Sequence, residues 1–231
     1  MKKNKVMIFF TVIVFIIINF INIYVHLDYR KHSIYLNNTF NINLIKIIII
    51  GDSRMELIEN DREKLNIPRN IVFMARSGAR INWLNKVAIP WLNEQLNQKN
   101  KKYKYMVLFN LGVNDLNSNI EPSDIAKDYL DIYRNIIFQN QDVNFYFLSV
   151  NLIDEQTINN FFPNQKRTNK KIEKFNNYFI NNIGEFNNIN YCDSYNNLNM
   201  SFYDGLHFDF ETNKKILDYL INNCFKINII L

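Results

Sequence analysis

Glycine and proline are scarce in this 231-residue chain, at 5 and 4 residues, and charged side chains make up only 21% of it. Such a composition excludes collagen-like, low-complexity and disordered classes. Cysteine is scarcer still: Cys192 and Cys224 are too few for a disulfide scaffold, and neither has the Cys/His spacing that holds zinc. They can pair only if their Cα atoms lie within about 7 Å, and two separate core thiols are the simpler expectation. No cofactor is called for. Basic character is also thinner than it looks. Three of the net +5 charges are Lys2, Lys3 and Lys5, which leaves +2 for everything after them and no basic run interleaved with aromatics. Nucleic acid is therefore not an expected partner. What is present is 48% hydrophobic and 15% aromatic residues, enough for one domain of about 200 residues.

One hydrophobic run stands apart. Val6 to Val25 is twenty residues without a charge, matching the roughly 20 needed to cross a hydrocarbon core as a helix. It is long for a signal-peptide core, and no Ala-x-Ala cleavage pattern follows it. The expectation is an uncleaved anchor, with residues 1–25 as cytoplasmic tip and transmembrane helix, 26–42 as a polar tether and 43–231 as the folded domain. Lys2, Lys3 and Lys5 outnumber Arg30 and Lys31 on the far side, favouring a single-pass cell-membrane protein with its domain extracytoplasmic.

After the tether, apolar runs with the length of buried strands occur at Leu44 to Ile50, Ile71 to Met74, Tyr105 to Leu111, Val143 to Val150 and Ile189 to Cys192. Segments with helical spacing separate them: about Met55 to Leu65, Ile81 to Gln98 with Pro90 kinking or dividing it, a helix opening near Pro122, Asn169 to Ile183, and Glu211 to Cys224. Five alternations predict an α/β fold, a parallel sheet covered by helices on both faces, with ligands at the carboxyl ends of the strands.

The turns at those ends carry the candidate chemistry. In IIIIGDSRMEL, Ser53 sits where strand turns into helix, placed as a nucleophile although a helix N-cap would look the same. A serine needs a base. Of the three histidines, His26 and His32 fall at the membrane boundary and in the tether, which leaves His207 in FYDGLHFDF. Asp204, three residues earlier across Gly205, can fold back to orient its imidazole; Asp209 competes but lies where it would cap the last helix. Oxyanion donors are available from Gly78 in ARSGAR and Asn114 in LGVNDL, each of which read singly is an ordinary turn residue. Arg54 and Arg76 flank the site as candidates for binding an anionic substrate, although turn arginines are commonly solvated or paired. Asp52 and Asp115 are expected to shape their turns through backbone hydrogen bonds.

Taken together, Gly51-Asp52-Ser53, Gly78, Gly112-Val113-Asn114-Asp115 and Asp204-Gly205-Leu206-His207 resemble the four sequence blocks of the SGNH hydrolases, or GDSL esterases, over about residues 45 to 223. The resemblance implies a flavodoxin-like three-layer fold with a five-stranded parallel sheet. It also implies Ser53 as nucleophile, His207 as base, Asp204 as orienting acid, and an oxyanion hole from the Ser53 and Gly78 amides and the Asn114 side chain. Arg54 stands where the family often has leucine. The Gly-x-Ser-x-Gly elbow of α/β-hydrolases is absent, since Met55 holds its last position. The expected activity is a serine esterase removing small acyl groups such as acetyl. The anchor and the substrate range of the resembling family point to an acylated envelope or surface glycan. An O-acyltransferase with the same triad, or a non-catalytic glycan-binding module on the same fold, are the alternatives.

Overall fold

The computed structural model describes residues 44–184 and 187–227. The expected anchor and tether lie outside the described residues, and among those described no helix is long and apolar enough to cross a membrane.

The elements follow the predicted alternation. Strand β1 (Ile45–Gly51) leads into helix α1 (Ser53–Asn60), and β2 (Ile71–Ala75) into α2, which runs through Ile81–Trp83, a π turn at Leu84–Ala88 and Ile89–Asn97. Then come β3 (Lys104–Asn110), α3 (Pro122–Gln139), β4 (Asn144–Leu148), a short α4 (Ile158–Phe161), α5 (Asn169–Asn182) and β5 (Ile189–Cys192). A short α6 (Ser194–Asn197) precedes the final α7 (Phe210–Tyr219), which ends in a second π turn, Leu220–Cys224. Pro90 does not break α2. It has no N–H to donate back along the helix, and the π turn ahead of it takes up the resulting misfit.

The five strands form one parallel sheet in the order β2-β1-β3-β4-β5. The sheet is buried on both sides, which is why its strands read as near-continuous apolar runs. Alternation splits them between two cores. Ile48, Ile50, Val107, Phe109, Phe145 and Phe147 share one cluster with Leu84 and Leu92 of α2, Tyr129 and Tyr133 of α3, and Phe175 and Phe179 of α5. Ile47, Ile49, Met106 and Leu108 point to the other face, where α1 and α7 pack on each other through buried Met55, Ile58, Ile216 and Leu217. The result is a three-layer α/β/α sandwich with flavodoxin-like strand order.

Two features bear on the site. Strand order reverses between β1 and β3, so the loops leaving these neighbours diverge and open a crevice at their carboxyl ends. The register fixes what meets there: Gly51 pairs with both Ala75 of β2 and Asn110 of β3, which brings the three following turns to one edge. The cysteines correct the sequence expectation. Cys192 at the end of β5 and Cys224 at the end of α7 have Cα atoms 5.7 Å apart and are paired as a disulfide. Residues 32 positions apart meet because α7 lies along the same sheet face that Cys192 points to.

Candidate active site

At the carboxyl edge of β1 the backbone turns directly into α1. The N-cap is Asp52, not Ser53: the Asp52 carboxylate accepts the Arg54 N–H at 3.0 Å, and its carbonyl accepts those of Met55 and Glu56. The serine hydroxyl is thereby released from capping, and the Ser53 N–H is left out of this set. Asp52 is buried. Burial pushes its carboxyl up, opposed by the Arg54 charge and hydrogen bond and by the fields of His207 and Arg167.

His207 arrives from 154 residues away. Its Nε2 lies 2.8 Å from Ser53 Oγ, and its Nδ1 lies 2.7 Å from Asp204 Oδ2. A carboxylate at Nδ1 fixes that nitrogen as the N–H donor, which leaves Nε2 as acceptor for the serine proton. Asp204 Oδ1 meanwhile accepts the backbone N–H groups of Leu206 and His207, closing a tight turn. Burial alone would raise the Asp204 carboxyl, but these bonds from His207 and Leu206 hold it below the ordinary carboxylate value. The turn depends on Gly205, whose φ of +83° is left-handed; a Cβ there would also run into the backbone of Ile158. Asp209, the competing acid, caps α7 by accepting the Thr212 N–H at 2.8 Å.

The two remaining blocks occupy the neighbouring turns. Gly78 follows β2 with φ +71° on an exposed turn closed by the Ala79 N–H to Arg76 carbonyl bond, in which the Gly78 N–H takes no part. Asn114 follows β3 and is 5% exposed. Its Nδ2 donates to the Ala79 carbonyl at 3.1 Å, tying the third turn to the second, and Nδ2 keeps a second hydrogen. Asp115 accepts from the Ile81 N–H and from the Tyr129 hydroxyl, at 3.3 and 2.7 Å, anchoring the same turn to α2 and α3.

Arg54 does not serve the expected role. Its guanidinium is turned into the protein, where Nε donates to the Leu206 carbonyl at 3.1 Å and the terminal nitrogens donate to Asn151 and Leu152 carbonyls at 2.9 Å. It also lies 4.5 Å over the Phe208 ring, and the residue is 2% exposed. Burial pulls it down to about 10, against the raising effect of Asp52, so it stays charged at neutral pH. Arg54 is thus a clamp on the His207 turn and not a substrate ligand. Arg76 is exposed, and among the described residues no side-chain bond holds it to the site.

One residue of the site was not foreseen. Arg167, just before α5, is 6% exposed and donates through Nε to the Val113 carbonyl at 2.9 Å and through Nη2 to Asn114 Oδ1 at 3.1 Å. A donor on Oδ1 and an acceptor on Nδ2 fix the amide orientation of Asn114. Spacing in the sequence carries no trace of this, because Arg167 sits in a loop with no motif of its own.

No protein-family model matches the chain, and no curated protein matches it. Solved structures do. A GDSL-like lipase from Bacteroides thetaiotaomicron superposes with a TM-score of 0.61 at 15% identity, covering 87% of this chain and 98% of the other. The catalytic domain of peptidoglycan O-acetyltransferase A from Streptococcus pneumoniae gives 0.53 at 16%, covering 79% and 92%. A carbohydrate esterase family 3 structure from Talaromyces cellulolyticus gives 0.54 at 14%, covering 79% and 97%. The chain has the fold of the SGNH, or GDSL, lipases and acylhydrolases.

Two predictions follow from this geometry. Arg167→Ala should lower kcat for an aryl ester by about tenfold while changing KM little, because a loosened Asn114 amide matters most when charge develops; equal kcat in both proteins would separate Arg167 from the chemistry. Asp204 contributes stability that is complete above its ordinary value of 3.8 and is lost as pH falls through its lower folded value. Thermal melts between about pH 5 and about pH 2.5 should therefore fall less for Asp204→Asn than for the unaltered protein.

Proposed function

We propose that this chain is a membrane-anchored serine esterase of SGNH type, acting outside the cytoplasm to remove small acyl groups such as acetyl from an acylated carbohydrate. The unbroken path Asp204–His207–Ser53, with contacts of 2.7 and 2.8 Å, carries the reading. Ser53 Oγ attacks the ester carbonyl as His207 Nε2 takes its proton, and Asp204 stabilises the imidazolium. Oxyanion charge is met by the Ser53 and Gly78 N–H groups and by the second Nδ2 hydrogen of Asn114, the first being held by the Ala79 carbonyl. His207 returns its proton to the departing alcohol. Water then opens the acyl-enzyme; a sugar hydroxyl in its place would make the same site an O-acyltransferase.

The substrate class draws support from the fold shared with a carbohydrate esterase and with a peptidoglycan O-acetyltransferase domain. The location draws support from the uncharged span at residues 6–25 and the lysine excess before it. The Cys192–Cys224 pair suits an oxidising compartment and supports the same side.

Ser53→Ala should abolish cleavage of acetyl esters while leaving the melting temperature within about 2 °C, since Asp52 and not Ser53 caps α1. Retained ester cleavage in that variant would remove Ser53 as nucleophile.

A further inference from the structure

A cavity of about 410 Å³ opens beside Ser53 and His207, and neither Gly78 nor Asn114 is part of its wall. That asymmetry gives it a role. In acyl transfer the oxyanion donors face the carbonyl oxygen, whereas the base faces the alcohol it must protonate. A cavity that shares the base and Ser53 but neither Gly78 nor Asn114 lies on the alcohol side, and its volume is that of a small-molecule site. We propose that this cavity is a subsite for the alcohol portion of the ester and that it selects an uncharged, hydroxyl-rich ring, a neutral sugar. The assignment of the alcohol side rests on the esterase reading above; the choice of ligand rests on the wall.

Acidic charge predominates around the wall. Asp61, Asp204 and Asp209 line it, and Glu56 stands behind the lining Ser77, whose hydroxyl donates to its carboxylate; Lys64, paired with Asp61 at 2.7 Å, offsets one of these charges. No lysine or arginine lines it. Such a wall repels a uronate, a phosphate or a phospholipid headgroup. It suits hydroxyl donors, because Asp61 and Asp209 each engage only one oxygen within the protein: Asp61 Oδ1 accepts from Lys64, and Asp209 Oδ1 accepts from the Thr212 N–H. The second oxygen of each can accept from a ligand hydroxyl.

Aromatic surface completes the arrangement. Tyr203 is 77% exposed and Phe210 is 36% exposed at the mouth. The electron-rich ring face attracts the polarised C–H bonds on the apolar face of a pyranose.

The test uses the full chain and three acetyl esters that differ only in the alcohol: an aryl acetate, an acetylated neutral methyl hexoside and an acetylated methyl hexuronide. The neutral sugar ester should exceed the uronide in kcat/KM by about tenfold or more, and Asp61→Asn should shrink that gap several-fold. Tyr203→Ala, at a position too exposed to threaten folding, should reduce kcat/KM for the neutral sugar ester relative to that for the aryl acetate by about tenfold. Equal rates on the two sugar esters, or an unchanged ratio in Tyr203→Ala, overturn the subsite. Saturation-transfer NMR with the unesterified methyl hexoside reads binding without turnover. Transfer that Tyr203→Ala abolishes supports the subsite even in a protein that cleaves no ester, which would instead count against the esterase reading. Absent transfer in the unaltered protein overturns the subsite.

Discussion

A 2.8 Å contact joins Ser53 to His207 across 154 residues, and much of the carboxyl edge of the sheet is organised to hold it. A histidine on a five-residue turn would wander if left to itself, because such turns are the least restrained part of an α/β domain. Here the turn is fixed from three directions. Asp204 closes it from within, the Asp154 N–H holds the Gly205 carbonyl at 2.8 Å, and the Arg54 guanidinium grips the Leu206 carbonyl from beneath. Arg54 follows Ser53 in the chain, so the residue beside the nucleophile also positions the loop that carries the base. Its other two bonds, to the Asn151 and Leu152 carbonyls, extend the clamp to the loop after β4. A buried, charged guanidinium is costly in isolation, and three carbonyls with Asp52 nearby offset that cost.

Charge of both signs surrounds the nucleophile. Arg167 and Arg80 stand close enough to feel each other's charge, and Asp52 and Asp115 offset them. Asp61, paired with Lys64, and Asp209 line the cavity beside His207, while Glu56 accepts from Ser77 on the second turn.

Strands were legible in the sequence because a doubly covered parallel sheet leaves no polar alternation: all five apolar runs coincide with strands, β5 to the residue. His207 could be picked out by elimination, since only one histidine fell within the folded domain, while the other candidates came from their turn positions and from the four-block resemblance. What could not be read were directions and long-range pairs. Nothing in a one-dimensional string tells whether Arg54 points outward to a ligand or inward to three carbonyls. Arg167 reaches Asn114 only through the packing of α5 against α3, and Cys192 meets Cys224 only through the packing of α7 on the sheet. The cap of α1 was ambiguous between adjacent Asp52 and Ser53 because both residue types cap well, and the geometry resolves it in favour of the aspartate.

The most direct measurement is mass-spectrometric mapping of the adduct formed by a fluorophosphonate on the intact chain, with His207→Ala as the partner experiment. A catalytic Ser53 activated by His207 predicts a single adduct on Ser53, formed at least about a hundredfold more slowly in His207→Ala. No adduct on the folded protein, an adduct on a different residue, or equal labelling rates in the two proteins would contradict it.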